Sequence, residues 1–168
     1  DVFGEYIHKY YYNRSIADGY TLKLIREGIK TEYRAKLNAV LEELEARKGS
    51  LSKKDVYAHP KYVAALVDYI VDDFQHSRVA LSDSTIGGMI VCDSSDQARM
   101  VDQELNRYSQ VSHILILHDV EDKETRRRYT DDFKKGKIDL LVVYNMLLTG
   151  FDAPRLKKQY LGRVIKEH

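Results

Sequence analysis

The chain has 168 residues, about the length of one domain, with 43% hydrophobic and 32% charged residues. That profile excludes a disordered chain, and 9 Gly with 2 Pro are too few for a fibrous or low-complexity one. With 27 Lys and Arg against 26 Asp and Glu, the formal net charge is +1. No global field draws the chain to nucleic acid or acidic lipid, so such binding needs a local patch. No apolar run approaches a membrane span. The one cysteine, Cys92, lies in an apolar run and reads as a small buried hydrophobe in a reducing compartment. The start, Asp1-Val2-Phe3-Gly4, lacks an initiator Met and a signal pattern, and reads as an excised segment.

In chain order, Val2 to Tyr12 and Tyr20 to Ile25 look like short strands, with a turn at Asp18-Gly19. A helix follows with Tyr33, Leu37, Val40, Leu41 and Leu44 on one face, ended by Gly49-Ser50. Pro60 suits the first turn of a second helix, whose stripe is Val63, Leu66, Val67, Ile70, Val71 and Phe74. From there the pattern alternates. Gly88 to Cys92, His113 to Leu117 and Ile138 to Val143 are continuous apolar runs, and Lys158 to Ile165 holds a fourth strand. Helical patterns separate the first three: Ala98, Val101, Leu105 and Tyr108, then Tyr129 and Phe133. Apolar strands alternating with helices predict an α/β domain, a parallel sheet flanked by helices over 59–168, preceded by a mixed α+β linker segment over 1–58. Ligands of such sheets bind at the carboxyl ends of the strands, here Asp93-Ser94, His118-Asp119 and Tyr144-Asn145.

Ser94-Ser95-Asp96-Gln97 matches a capping box. The same helix start offers free N–H groups and partial positive charge to a phosphate, with Arg99 one turn in to reinforce it. The turn has no glycine for a pyrophosphate, and Gly136-Lys137 is followed by Ile138, so neither a dinucleotide fingerprint nor a P-loop is present. Glu124 with Arg128 and Asp131 with Lys135 are i,i+4 pairs, so the basic stretch from Arg126 reads as a solvated helix face. Glu121-Asp122-Lys123 has the look of a nuclease signature's end but lacks its partner acid. His113, His118 and Cys92 lack zinc-site spacing, so no metal site is expected. The Tyr10-Tyr11-Tyr12 cluster reads as edge-strand packing.

Thr149-Gly150-Phe151-Asp152-Ala153-Pro154 resembles motif V of superfamily 2 helicases, in the version found in the motor (R) subunit of type I restriction enzymes. Met89 to Ser95 stands where that family has motif IV, Phe133 to Val143 resembles the run into motif V, and Phe3-Gly4 with Ala17-Asp18-Gly19 resembles the segment joining the two motor lobes. The resemblance implies a second RecA-like helicase lobe of a bacterial or archaeal cytoplasmic enzyme, an ATP-dependent translocase of double-stranded DNA. It implies that Ser94, Ser95 and Thr149 contact DNA phosphates, with Arg99, Arg155 and Lys157 as basic neighbours. Gly150 permits close backbone approach, and Asp152 faces the nucleotide or couples it to the DNA site. ATP and Mg2+ belong to the full-length protein, and the implied partners are the first lobe and the modification and specificity subunits. Gln159 to Lys166 imitates motif VI, but its distance from Gly150 and its apolar residues favour the fourth strand, so the chain stops short of that motif. With the P-loop, metal carboxylate and arginine finger all elsewhere, the chain alone is expected not to hydrolyse ATP, and no catalytic residue is assigned. Two other readings stay open: a non-motor doubly wound binding or regulatory domain, and a superfamily 2 lobe acting on RNA.

Overall fold

The computed structural model describes residues 31–48, 52–117, 120–144 and 153–163. The expected strands in 1–25 and the turn at Asp18-Gly19 lie outside the described residues, as do His118 and Asp119. Helices α1 (Thr31–Lys48), α2 (Lys53–Tyr57) and α3 (Pro60–Ala80) precede strand β1 (Gly87–Cys92). Helix α4 (Ser95–Leu105), β2 (His113–Leu117), α5 (Lys123–Lys134), β3 (Leu140–Tyr144) and β4 (Leu156–Leu161) follow. Thr31–Val164 form one compact unit, so α1, grouped with the linker on sequence grounds, packs on α3 within it.

The four strands are all parallel, in the order β2-β3-β1-β4. β1 is buried at every position, and Leu140 to Val143 of β3 are likewise buried. Covered on both faces, these two strands gain nothing from polar alternation, which is why they read as unbroken apolar runs. On one side α3 supplies Val63, Leu66, Val67, Ile70, Val71 and Phe74, all buried as its spacing predicts. Pro60 occupies its first turn. Leu37 and Leu44 of α1 are buried as well. Elsewhere Ala98, Val101 and Leu105 of α4 and Phe133 of α5 complete the core. β4 is one of the two edge strands: Tyr160 is buried, its hydroxyl donating to Asp73 at 2.7 Å, while Lys158 pairs with the same carboxylate at 3.0 Å. It begins two residues before the predicted Lys158, because Leu156 already aligns with Gly87.

The amino ends of the strands are stitched together by polar contacts. Arg78, near the end of α3, donates from Nε and Nη2 to Ile86 O at 3.0 and 2.7 Å, and Nη2 meets Asp139 Oδ1 at 2.7 Å. Asp139 Oδ2 accepts from the Ser112 N–H at 2.9 Å, while its own N–H donates to Ser112. Three strand entrances are thereby fixed together. The glycines at the start of β1 allow close packing there: a Cβ on Gly87 would fall 2.6 Å from Cζ of Phe133.

Burial raises the Asp139 carboxyl, but the Ser112 N–H and the Arg78 guanidinium outweigh it and hold the group below its ordinary value. A carboxyl with a folded pKa below the unfolded value of about 3.9 contributes stability that is complete above roughly pH 5 and lost as pH falls through the folded value. Urea titrations at descending pH should show the wild type losing stability across that acid window. Asp139→Asn, already weaker at neutral pH, should lose less.

Candidate nucleic-acid interface

Strand order alone marks one place on this sheet. β1 and β3 are neighbours, with Cys92 opposite Tyr144, yet the chain leaving β1 goes to β2 and the chain leaving β3 goes to β4. Connections that diverge from adjacent strands open a crevice at their carboxyl ends, the usual ligand position in doubly wound sheets. The β1 side of that crevice is the turn Asp93-Ser94 and the first residues of α4.

Ser94 is buried and is the N-cap of α4, its Oγ accepting from the Gln97 N–H at 3.0 Å. Ser95 is half-buried in the first turn and Arg99 is exposed one turn on. The first-turn amides have no intrahelical acceptor, and the helix dipole puts partial positive charge beside them. The chemistry offered is the binding of an anionic oxygen by main-chain N–H groups with an arginine alongside.

Gln97 departs from the capping box. In that motif the side chain at this position returns to the N–H of the cap residue. Here Oε1 accepts instead from Asp93, one residue earlier, at 2.7 Å. The Nε2 group donates to Tyr57 O at 3.0 Å and to Gly162 O. Gln97 is fully buried, and a flipped amide would set N–H against N–H and oxygen against two carbonyls, so its orientation is fixed. Gly162 O also accepts from the Tyr62 hydroxyl at 3.0 Å. Arg163, just past β4, approaches Asp93 at 3.6 Å. Burial raises the Tyr57 phenol, with Asp93 adding to it and Arg163 opposing.

The remaining sequence candidates separate. Thr149, Gly150 and Asp152 lie outside the described residues. Arg155 and Lys157 stand at the start of β4, at the amino ends of the strands, the opposite edge from Ser94 and Ser95. Arg155 also turns inward. Its Nε donates to Thr85 O at 3.0 Å and its Nη1 to Phe133 O at 2.6 Å and to Ile138 O, with the guanidinium 4.7 Å from the Phe133 ring centre. Lys157 pairs with Asp83 at 3.3 Å. The six expected DNA contacts are therefore not brought to one face.

Other residues take structural roles. Glu121 Oε2 accepts from the Leu117 N–H at 2.7 Å and Asp122 caps α5 by accepting from Thr125 at 2.7 Å, so neither is arranged as a nuclease acid. His113 is held between Asp102 at 3.0 Å and Asn106 at 3.2 Å. Cys92 is buried, and burial pushes its thiol up. The expected i,i+4 pairs on α5 are not formed: Arg128 lies over the Tyr129 ring at 5.6 Å, and Asp132 meets Lys137 at 3.8 Å. Gln159 to Leu161 belong to β4, as read from sequence. As for a triphosphate, the β1 turn has no glycine and is filled by the Gln97 amide, so the described residues do not form a phosphate cradle of the P-loop kind. No helix among the described residues is long and apolar enough to cross a membrane.

Residues 52–168 match the family described as type I restriction enzyme subunit R domain 3, and the chain belongs to that family. Among curated proteins it is similar to the type I restriction enzyme SauCOLORF180P endonuclease subunit of Staphylococcus aureus strain COL, 25% identical over 209 aligned residues. That alignment covers 100% of this chain and 22% of the relative, and the SauMRSORF196P subunit of strain MRSA252 is 24% identical with the same coverage. The chain thus spans about a fifth of the length of these relatives. Among solved structures, the Pyrococcus furiosus Hef helicase domain superposes with a TM-score of 0.50 at 15% identity, over 79% of this chain and 30% of that one. The fold is thus of the RecA-like kind seen in that helicase domain, and the family is that of domain 3 of the type I restriction enzyme R subunit.

Removing the Arg155 guanidinium leaves three backbone carbonyls without that donor, a change of the kind that costs about 1–3 kcal/mol. Chemical denaturation of Arg155→Ala should show a loss in that range, whereas Arg99→Ala, exposed on α4, should stay within about 0.5 kcal/mol of wild type.

Proposed function

We propose that this chain is the DNA-gripping second lobe of the motor in a type I restriction enzyme R subunit. In this reading it holds the phosphate backbone of double-stranded DNA while ATP, bound between two lobes, drives translocation. The observation that carries the reading is the coincidence of three things at one edge of the sheet. The family match covers the lobe, the strand order opens a crevice between β1 and β3, and the β1 side of that crevice is a helix start bearing Ser94, Ser95 and Arg99.

Ser94 acts from within, capping α4 and setting the turn. The first-turn amides, the Ser95 hydroxyl and the Arg99 guanidinium meet phosphate oxygens. Thr149, which follows β3 in the sequence, is assigned a further phosphate contact by its motif. Backbone contacts of this kind give affinity and register without reading sequence, as a translocating motor requires. Arg155 and Lys157 drop out of the DNA face in this reading, because the first braces the core and both stand at the far edge.

ATP with Mg2+ supplies the chemical step in the full-length protein. Gly150 and Asp152 are the residues of this chain assigned to the nucleotide, and the Gln97-filled turn leaves the phosphates to be held by the first lobe. The chain alone then lacks the means of hydrolysis. The first lobe and the modification and specificity subunits are the partners this assignment brings with it, the last of them reading the DNA sequence.

Fluorescence anisotropy with labelled duplexes tests the reading. The chain should bind unrelated duplex sequences with equal, weak affinity that falls linearly in log–log form as salt rises. Arg99→Ala should lower the salt slope by about one, as loss of one phosphate-contacting cation does. Thr149→Ala should weaken binding equally for all sequences and leave the slope unchanged. Salt-independent binding, or a preference for RNA at matched salt, would contradict the assignment.

A further inference from the structure

We infer that Gln97 is a positioning residue that ties the Asp93–Ser95 turn at the end of β1 to the end of β4, so that the chain leaving β4 sets the geometry of the phosphate grip. The functional half of this inference rests on the reading above; the tie itself does not.

The geometry is specific. Gln97 controls its turn from two sides, its backbone N–H bound to Ser94 Oγ at 3.0 Å and its side-chain oxygen to the Asp93 N–H at 2.7 Å. The other half of the same amide donates to Gly162 O, 65 residues later in the chain, and to Tyr57 O, 40 residues earlier. A planar amide cannot move one end alone. Any shift of Gly162 that keeps its hydrogen bond rotates or translates Oε1, and with it the Asp93 N–H. The site is also closely fitted: a Cβ on Gly162 would overlap the Gln97 carboxamide, so a larger residue there must displace that amide. Gly162 O accepts from the Tyr62 hydroxyl as well, which occupies the second lone pair of that carbonyl and leaves Gln97 no slack. Local capping needs none of this, since a side chain serving the helix start alone would end at Ser94.

A direct route runs in parallel, because the Gly162 N–H donates to Val91 O at 2.8 Å. The test therefore depends on whether the response passes through Gln97. In the 15N-labelled chain, Gly162→Ala should move the Asp93 amide resonance and speed its hydrogen exchange. In a Gln97→Leu background, where no carboxamide remains to be displaced, the same Gly162→Ala change should leave Asp93 where Gln97→Leu alone put it. Gly162→Ala and Gln97→Leu should each weaken duplex binding by roughly two- to tenfold. Neither should change the salt slope, because no cation is removed.

An Asp93 amide indifferent to Gly162→Ala, or displaced equally with and without Gln97, would overturn the tie. If Gln97→Leu does not fold, Gln97→Glu replaces it. Ionised, its carboxylate faces two carbonyls, and protonated it can again donate to one of them. The Asp93 resonance should then return towards its wild-type position as pH falls, and a pH-independent position would overturn the tie. Should the wild type bind no duplex while Asp93 still follows Gly162 through Gln97, the phosphate-grip reading fails and the tie stands.

Discussion

Everything in this lobe depends on β1, a strand buried on both faces and paired in parallel on both edges, with β3 on one side and β4 on the other. Parallel pairing sends all strand carboxyl ends to one edge and all amino ends to the other, so the two edges are free to specialise. The amino edge is a brace. Arg78 and Arg155 reach carbonyls of Ile86, Thr85, Phe133 and Ile138, and Asp139 joins Arg78 to Ser112. The carboxyl edge carries the capped start of α4 and the Gln97 amide, with a crevice defined by diverging connections. Cationic side chains at the amino edge hold the fold together; the carboxyl edge offers main-chain N–H groups and the exposed Arg99, beside the carboxylates of Asp93 and Asp96.

That division accords with a chain of formal net charge +1. Several of its cations answer carboxylates of the lobe itself: Lys36 with Asp68, Lys61 with Glu43, Lys158 with Asp73 and Arg107 with Glu104. The exposed pairs among them add little stability, whereas Lys158 and Asp73 are mostly shielded from solvent. These pairs do cancel long-range field.

Much of this was legible in the sequence, for identifiable reasons. The β1 and β3 runs and the α3 stripe stand out because burial on two faces, or on one helix face, leaves an unmistakable period; β2, half-buried over His113 to Leu115, carries the same apolar run at an edge. β4 was harder: Lys157, Lys158 and Gln159 in an edge strand look like surface, and its start was set two residues late. The Ser94 cap was readable because capping is local. The partners of Gln97 at Tyr57 and Gly162 were not, since nothing within four residues signals a bond to chain 40 or 65 positions away. The bracing role of Arg155 was hidden for the same reason: beside a motif rich in function it reads as a DNA contact, and its acceptors come from three distant segments. Glu121 and Asp122 show the opposite case, where a suggestive acidic pair turns out to serve β2 and α5 locally.

The central claim is that duplex DNA meets the carboxyl edge of this sheet and not the basic residues at the amino edge. Amide hydrogen exchange read by mass spectrometry, with and without saturating duplex at low salt, tests it most directly. The account predicts new protection over peptides spanning Asp93 to Arg99, with peptides covering Asp83 to Ile86 and Arg155 to Lys157 unchanged. Protection confined to the amino-edge peptides would contradict it.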